Sequence, residues 1–261
     1  MKRNSIARIV IYSLVILMLT GILLVGIVGN GFTFTFEIGS SSGTVTSGET
    51  SLDATKIQNI EIDWAAGSVI IRSGDVSQIA LSETGDDSKY KMTYAIHGNT
   101  LSLDYSSKTI GISFGNFSIP AKDLVITVPR DWACKDLEIN GASLDITVED
   151  LEVQTLDLNG ASCNLRFSGS VETVEIDGAS ADIELHCTNP VSDIRVDGAS
   201  CDLELTLPEG CGFFVEMDGL SCSFRSDLDY STGDGSYFRG DRHCRISVDG
   251  LSCDVYIRES K

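Results

Sequence analysis

The sequence predicts an all-β fold: a β-solenoid, or parallel β-helix-like, repeat domain with coils of about 20 residues, preceded by one N-terminal transmembrane helix. Three observations point there. A short Asn/Asp-Gly motif recurs six times at near-constant spacing. Upstream of it, apolar residues alternate with the period of strands. The one long apolar run sits at the N-terminus, where it is long enough to cross a bilayer as a helix. Composition agrees, because 25 Gly, 4 Pro and 7% aromatic residues suit many short strands joined by tight turns. At 42% hydrophobic, the 261 residues can fill a core.

The apolar run covers residues 9–28, interrupted by nothing more polar than Tyr12, Ser13, Thr20 and glycine. Lys2, Arg3 and Arg8 precede it, and basic residues stay on the cytoplasmic side. The expected layout is therefore a cytoplasmic tail at 1–8, an anchor at 9–28, and everything else outside the cell membrane in a single-pass arrangement. A cleaved signal peptide is the rival reading; its apolar core is shorter, and no convincing small-x-small site follows Val28. Residues 29–56 are rich in Gly, Ser and Thr, the composition of a stalk. From 57 to 261 the chain reads as one all-β domain, with regular coils over 134–261.

The early part of that domain alternates at Ile60 and Ile62, Val69 and Ile71, Ile79 and Leu81, with turn signals at Gly85 and Gly98. The copies that follow are NGASLDI from Asn140, NGASCNL from Asn159, DGASADI from Asp177, DGASCDL from Asp197, DGLSCSF from Asp218 and DGLSCDV from Asp249. Their starts lie 19, 18, 20, 21 and 31 residues apart, the period of a solenoid in which each coil buries its apolar side only by stacking on its neighbours. The extra length before the last copy, 227–242, is polar and Gly-rich and reads as an inserted loop or hairpin. In the second copy Leu156 and Leu158 share one parity, whereas Ala161, Cys163, Leu165 and Phe167 share the other, so the chain must bend between them. Asn159-Gly160 is the expected corner, with glycine supplying a positive φ.

Eight cysteines in an exported chain suggest disulfides. Repeat position argues against them: Cys163, Cys201, Cys222 and Cys253 share their place with Leu144 and Ala181, the place of a small inward hydrophobe. Cys134 matches Val153, Val171 and Val191, and Cys187 is read against Phe167, Leu205 and Ile257. Adjacent coils would bring Cys201 and Cys222 to about 4.8 Å, close enough to bond but with parallel Cβ vectors that fit a disulfide poorly. Free, buried thiols are the expectation.

These features resemble the bacterial putative-adhesin family of β-strand-repeat domains. The resemblance is carried by IEIDWAAGSVII at 60–71, NTLSL at 99–103, LVITVP at 124–129 and the serial Asn/Asp-Gly copies, and it spans about 57–261. It implies a β-solenoid-like fold behind an N-terminal anchor, and a non-catalytic scaffold or adhesin-like binding module of the cell envelope. An accessory sensor or regulator of envelope stress is the alternative it leaves open. The uniform corners and the cysteine content depart from the family pattern.

Charge narrows the partners. Residues 1–28 hold three of the 19 basic residues and none of the 38 acidic ones, so the rest carries 16 basic against 38 acidic side chains, a net −22. Such a surface repels nucleic acid and anionic headgroups. Expected partners are the membrane through the anchor, and other envelope proteins or surface ligands.

Two outward columns are candidates for chemistry: Asn140, Asn159, Asp177, Asp197, Asp218 and Asp249 at the corner, and Asp145, Asn164, Asp182, Asp202, Ser223 and Asp254 five residues on. Stacked carboxylates repel by about 1 kcal/mol per pair even in bulk-like solvent. Calcium bound at Asp177, Asp182, Asp197, Asp202 and Asp218 would relieve this. The competing reading is that Asx side chains serve as corner caps, since asparagine fills the same positions with no cation. The six-fold serine column from Ser143 to Ser252 has no recurring His or Lys beside it, and His97, His186 and His243 are scattered. No catalytic residue and no cofactor is expected.

Overall fold

The computed structural model of the chain describes residues 33–35, 44–45, 50–85, 91–105, 111–113 and 120–260. Among these the strands are, in chain order, β1 (Thr33–Thr35), β2 (Thr44–Val45), β3 (Thr50–Leu52), β4 (Asn59–Gly74), β5 (Ile79–Thr84), β6 (Thr93–His97), β7 (Thr100–Asp104), β8 (Gly111–Ser113) and β9 (Lys122–Pro129). They continue with β10 (Ala133–Cys187), β11 (Asp193–Leu207), β12 (Phe213–Ser226), β13 (Ser231–Gly233), β14 (Ser236–Arg239) and β15 (Cys244–Glu259). One 3-10 turn at Ala54–Lys56 is the single helical element among the described residues. The fold is all-β. The apolar run at 9–28 lies outside the described residues, and among those described no helix is long and apolar enough to cross a membrane.

The chain divides into two units. In the smaller, built from Met1–Glu37 and Thr109–Ser118, β1 pairs antiparallel with β8. The larger holds the repeats.

In the larger unit the repeats stack in parallel and in register. β4 pairs with the first repeat of β10, Leu137 opposite Ile60 and Ile146 opposite Val69. β10 runs through three repeats, and its last pairs with β11, Asp177 opposite Asp197 and Ala181 opposite Cys201. Alternation does the rest: Ile139, Leu158, Ile176, Val196 and Val248 all point inward and are essentially fully buried. Each such side chain contributes about 1.5–3 kcal/mol relative to exposure.

The corner bends for a different reason than the sequence suggests. None of Gly141, Gly160, Gly178, Gly198, Gly219 and Gly250 has a positive φ. Each is needed because it sits against the corner carbonyl of the next coil. A Cβ on Gly160 would lie 3.0 Å from the Gly141 oxygen, one on Gly198 2.6 Å from that of Gly178, and one on Gly250 2.5 Å from that of Gly198. The space left by the missing Cβ is also where the side chain three residues on folds back: Cys163, Cys201, Cys222 and Cys253 direct their sulfurs there, as Leu144 does its methyl group. Ala161, read as inward, is exposed at the corner with Ala142 and Ala199, because the parity reversal falls one residue later than the alternation implies. The corner residue is skipped by the ladder, which passes from Gly178–Gly198 directly to Ser180–Ser200.

The stack does not follow chain order at its C-terminal end. β11 pairs with β15, Cys201 opposite Cys253, and β15 then pairs with β12, Cys253 opposite Cys222. Cys201 and Cys222 are therefore separated by a whole coil. The 227–242 segment supplies the hairpin β13–β14, and β14 lies antiparallel along the outer edge of β12 at Phe213–Glu216. Inward residues explain which strand takes the interior slot. Opposite the buried Ile257 of β15, β12 offers Ser226, and it places the bulky Phe224 where β15 has Val255. A polar group facing the core is tolerated only at the end of a stack. Phe224 is covered there by Tyr237, stacked at 4.4 Å, and by the edge of Tyr230 at 5.1 Å. Cys187 also departs from its expected place: Leu185 pairs with Leu205, so Cys187 falls one inward position beyond it.

The opposite end is capped by strands that sequence reading placed in the domain without assigning an order. β7 covers the first arm of β4 and β9 the second, and β6 and β5 extend these antiparallel. β2 pairs with β6 and β3 with β5, and Leu52 and Ala54 are buried, so folded strands already lie inside the stretch read as stalk. β-branched Thr50 and alternating Leu52 fit the free edge of β5.

All eight cysteines are free, and only Cys222 is more than slightly exposed. Burial pushes Cys134 and Cys201 up to about 12 and Cys163 up to about 11, which makes them inert thiols. In a labelling experiment with a maleimide, Cys222 is expected to react first in the native protein and the others only after denaturation, without reductant. A requirement for reductant would contradict free thiols. Among corner variants, Gly198→Ala is expected to lose about 1–3 kcal/mol or more through its clash with the Gly178 carbonyl. Cys201→Ala should be milder, since Ala181 fills the equivalent site; urea titration reads both.

Candidate functional site

The outward faces are the surfaces on which the chain concentrates charge, and the register decides what touches what. At the corner, Asp177 pairs with Asp197, Asp197 with Asp249, and Asp249 with Asp218. On the second arm the order is Asp182, Asp202, Asp254, Ser223. The five sequence candidates thus fall in the two columns foreseen, but Asp218 neighbours Asp249 rather than Asp197, because β15 intervenes. Carboxylates on parallel strands stand side by side without converging, and among the described residues no group of three His, Cys, Asp or Glu side chains is placed to hold a metal ion.

The repulsion is relieved instead by interleaved donors. Asn140 donates to Asp63 at 3.0 Å and to Glu138 at 3.2 Å, Asn159 to Asp157 at 2.9 Å, and Asn164 to Asp145 at 2.8 Å. Ser223 donates to Asp254, and Arg195 pairs with Glu175 at 3.0 Å. Arg258 bridges Glu204 at 2.6 Å and Glu184 at 3.7 Å, and Glu184 also contacts His186 at 3.0 Å. That His lies among ionic neighbours, with an Arg258 nitrogen 3.5 Å from its Nε2. The column serines, Ser143 through Ser252, are exposed at the corner.

Relief is incomplete on the first arm. Asp63 is pushed up to about 6 by burial, opposed by the Asn140 hydrogen bond and reinforced by Glu61, Asp104 and Glu138. Asp157 is also pushed up to about 6 by burial, with Glu138 and Glu175 adding to it.

A third surface is a shallow open groove of about 640 Å³ across successive coils, lined by Gln58, Lys135, Gln154, Glu172, Ser170 and Asn189 among others. Asn189 donates to Ser170 at 3.0 Å. Amides, carboxylates and an ammonium spaced by strand stacking can hydrogen-bond an extended polar ligand.

Sequence reading missed Lys122. It is almost fully buried, its ammonium donating to Glu83 and to the Tyr105 carbonyl, 4.0 Å from the Tyr105 ring and 4.6 Å from that of Trp64. Trp64 Nε1 donates to the Lys122 carbonyl at 3.0 Å, and Glu83 accepts from the Met92 amide at 3.1 Å. This knot ties the cap strands β5 and β9 to the first coil. Its signal was slight: a lysine at the start of an alternating strand, on the inward parity of Leu124 and Ile126.

A family model described as Toastrack DUF4097 matches residues 57–209 and again 130–237. A solved structure from Clostridium sporogenes, named as a putative cell adhesion protein, is similar with a TM-score of 0.51 at 10% identity, over 83% of this chain and 100% of that one. A putative adhesin from Bacteroides fragilis gives 0.41 at 12% identity over 81% and 96%. One from Parabacteroides merdae gives 0.31 at 12% over 87% and 100%. The first of these likenesses concerns the fold alone. No curated protein matches the chain.

The two raised carboxylates make a pH prediction. Their folded values exceed the ordinary 3.8, so the folded state binds protons more tightly than the unfolded one between about pH 4 and 6. Stability falls as pH rises through that window and is lowest above it. With solvent screening, about 1 kcal/mol each is expected. The melting temperature should be higher at pH 5 than at pH 7, and the double variant Asp63→Asn, Asp157→Asn should raise it at pH 7 and flatten the difference. A melting temperature that falls on acidification to pH 5 would contradict this assignment.

Proposed function

Because this chain belongs to the Toastrack DUF4097 family, we propose that it is a membrane-anchored, extracytoplasmic β-repeat scaffold of the bacterial cell envelope that acts as an adhesin-like binding module without catalysis. The observation that carries this reading is the register. It repeats the same outward side chains coil after coil, as in Asp177–Asp197–Asp249–Asp218, so the faces present one chemistry many times over. Repetition suits multivalent attachment to an extended surface ligand, where weak contacts add through effective concentration. It does not suit catalysis, which needs unlike groups converging on one atom.

In this reading residues 9–28 anchor the chain in the cell membrane, with 1–8 inside and the repeat domain outside. The net −22 of the exported part keeps it away from nucleic acid and anionic headgroups. Other envelope proteins or surface ligands are the partners. The alternative is an accessory sensor or regulator of envelope stress, acting through a partner that carries its signal.

The topology is tested first. A tag fused after Lys261 should be removed by protease added to intact cells, and protection of that tag contradicts the orientation. Binding is tested by comparing cells with and without the chain for retention on immobilised polysaccharides and matrix proteins. Retention that depends on the chain is expected, and equal retention across the whole panel would count against the binding-module reading.

A further inference from the structure

The end of the stack formed by β12 is unlike the other, where β7 and β9 cover both arms of β4. Along β12, β14 covers the edge of Phe213–Glu216, and Tyr237 and Tyr230 cover the ring of Phe224. Between these covers lies 217–223. It pairs with β15 on one edge, and among the described residues nothing pairs with the other. The core-facing Met217 and Cys222 are consequently only half-buried, whereas Val248 and Cys253, their counterparts one coil in, are 2% and 1% exposed.

The same corner carries the two most exposed large apolar side chains among the described residues, Leu220 at 88% and Leu251 at 59%. They stand where the preceding copies have Ala142, Ala161, Ala179 and Ala199. Leucine replaces alanine only in the two coils nearest the open edge. Natural sheets blunt a free edge with charge, proline or a covering element. Here apolar bulk is added instead, and an unpaired strand edge beside apolar anchors is the arrangement by which an extended segment adds to a sheet.

The flanks indicate what kind of segment fits. Asp218 and Asp249 lie on one side of the leucines and Asp254 on the other, all three exposed. A second copy of this chain would bring the same carboxylates against each other at strand spacing, which is destabilising. A strand with cationic ends would meet them with opposite charge.

We propose that the open corner of β12 accepts, by β-strand addition, an extended segment of another polypeptide that is apolar at alternate positions and carries lysine or arginine at its ends. The backbone edge at 217–223 supplies the ladder, Leu220 and Leu251 the apolar anchors, and Asp218, Asp249 and Asp254 the charge complement. This surface is the end of the stack, not its faces, so the proposal stands or falls independently of the adhesin-like reading.

The test uses the full chain in detergent micelles and a fluorescent synthetic peptide of alternating valine and threonine with lysines at both ends, titrated by fluorescence anisotropy. Binding is expected, weakening as ionic strength rises. Leu220→Ser should weaken it by about tenfold with an unchanged urea midpoint, since the side chain is exposed and its loss removes an anchor rather than core packing. Asp218→Asn should retain binding but reduce its salt dependence. A peptide with glutamates in place of the lysines, and one with a central proline, should not bind. The proposal is overturned if no binding is seen, if the glutamate peptide binds equally well, or if Leu220→Ser binds like the parent. It is likewise overturned, in favour of a second copy as occupant, if sedimentation shows a dimer that Leu220→Ser dissolves.

Discussion

The repeat stack rests on the close approach of each corner glycine to the corner carbonyl of its neighbour. A Cβ on Gly198, Gly219 or Gly250 would fall 2.6, 2.0 or 2.5 Å from that oxygen, and one on Gly160 or Gly178 3.0 Å from it, tighter than side chains ordinarily pack. The corner glycines meet this condition at one repeat position, so they help to align the coils, and a slip by one residue would put a side chain into the gap between glycine and carbonyl. The cysteines follow from the same condition. Their sulfurs occupy the volume the glycines leave empty, which is why the position accepts Cys, Leu or Ala and rejects charge.

Register then dictates the electrostatics. Once the corners align, every Asx that follows or precedes them must align too, and like charges are forced to strand spacing along two columns. The chain answers with asparagine in the first two repeats, Asn140, Asn159 and Asn164, and with Arg195 and Arg258 further on. Where these donors are few relative to burial, at Asp63 and Asp157, the carboxyl groups hold their protons to about pH 6. The acidic faces are thus a consequence of how the core is built before they are anything else, and any attachment they provide is borrowed from that geometry.

Much of this was legible in the sequence: the Asn/Asp-Gly copies, their period, the inward cysteines and the polar hairpin at 227–242 all depend on local spacing, which a one-dimensional repeat preserves. Four features were hidden, for separate reasons. The order β11–β15–β12 is a choice between two nearly identical strands, decided by single residues such as Ser226 against Ile257 that only packing weighs. The role of the glycines was misread as one of dihedral freedom because the competing cause, a carbonyl from another coil, lies far away in sequence, as Trp64 does from Gly141 and Gly198 from Gly250. Lys122 with Glu83, Trp64 and Tyr105 joins residues far apart in the chain, and nothing in their neighbourhoods announces it. Leu220 and Leu251 occupy the repeat position of Ala161, which was read as inward, so alternation would bury two of the most exposed apolar residues described.

The most direct test of the stacking account is a proximity measurement at exposed corner serines, using a short bifunctional methanethiosulfonate on paired cysteine substitutions. Ser200 pairs with Ser252, and Ser252 with Ser221, so Ser200 and Ser221 lie a full coil apart. The account predicts efficient cross-linking of the Ser200→Cys, Ser252→Cys protein and little of the Ser200→Cys, Ser221→Cys protein. The reverse pattern would mean that the coils stack in chain order and that the C-terminal repeat does not lie within the stack.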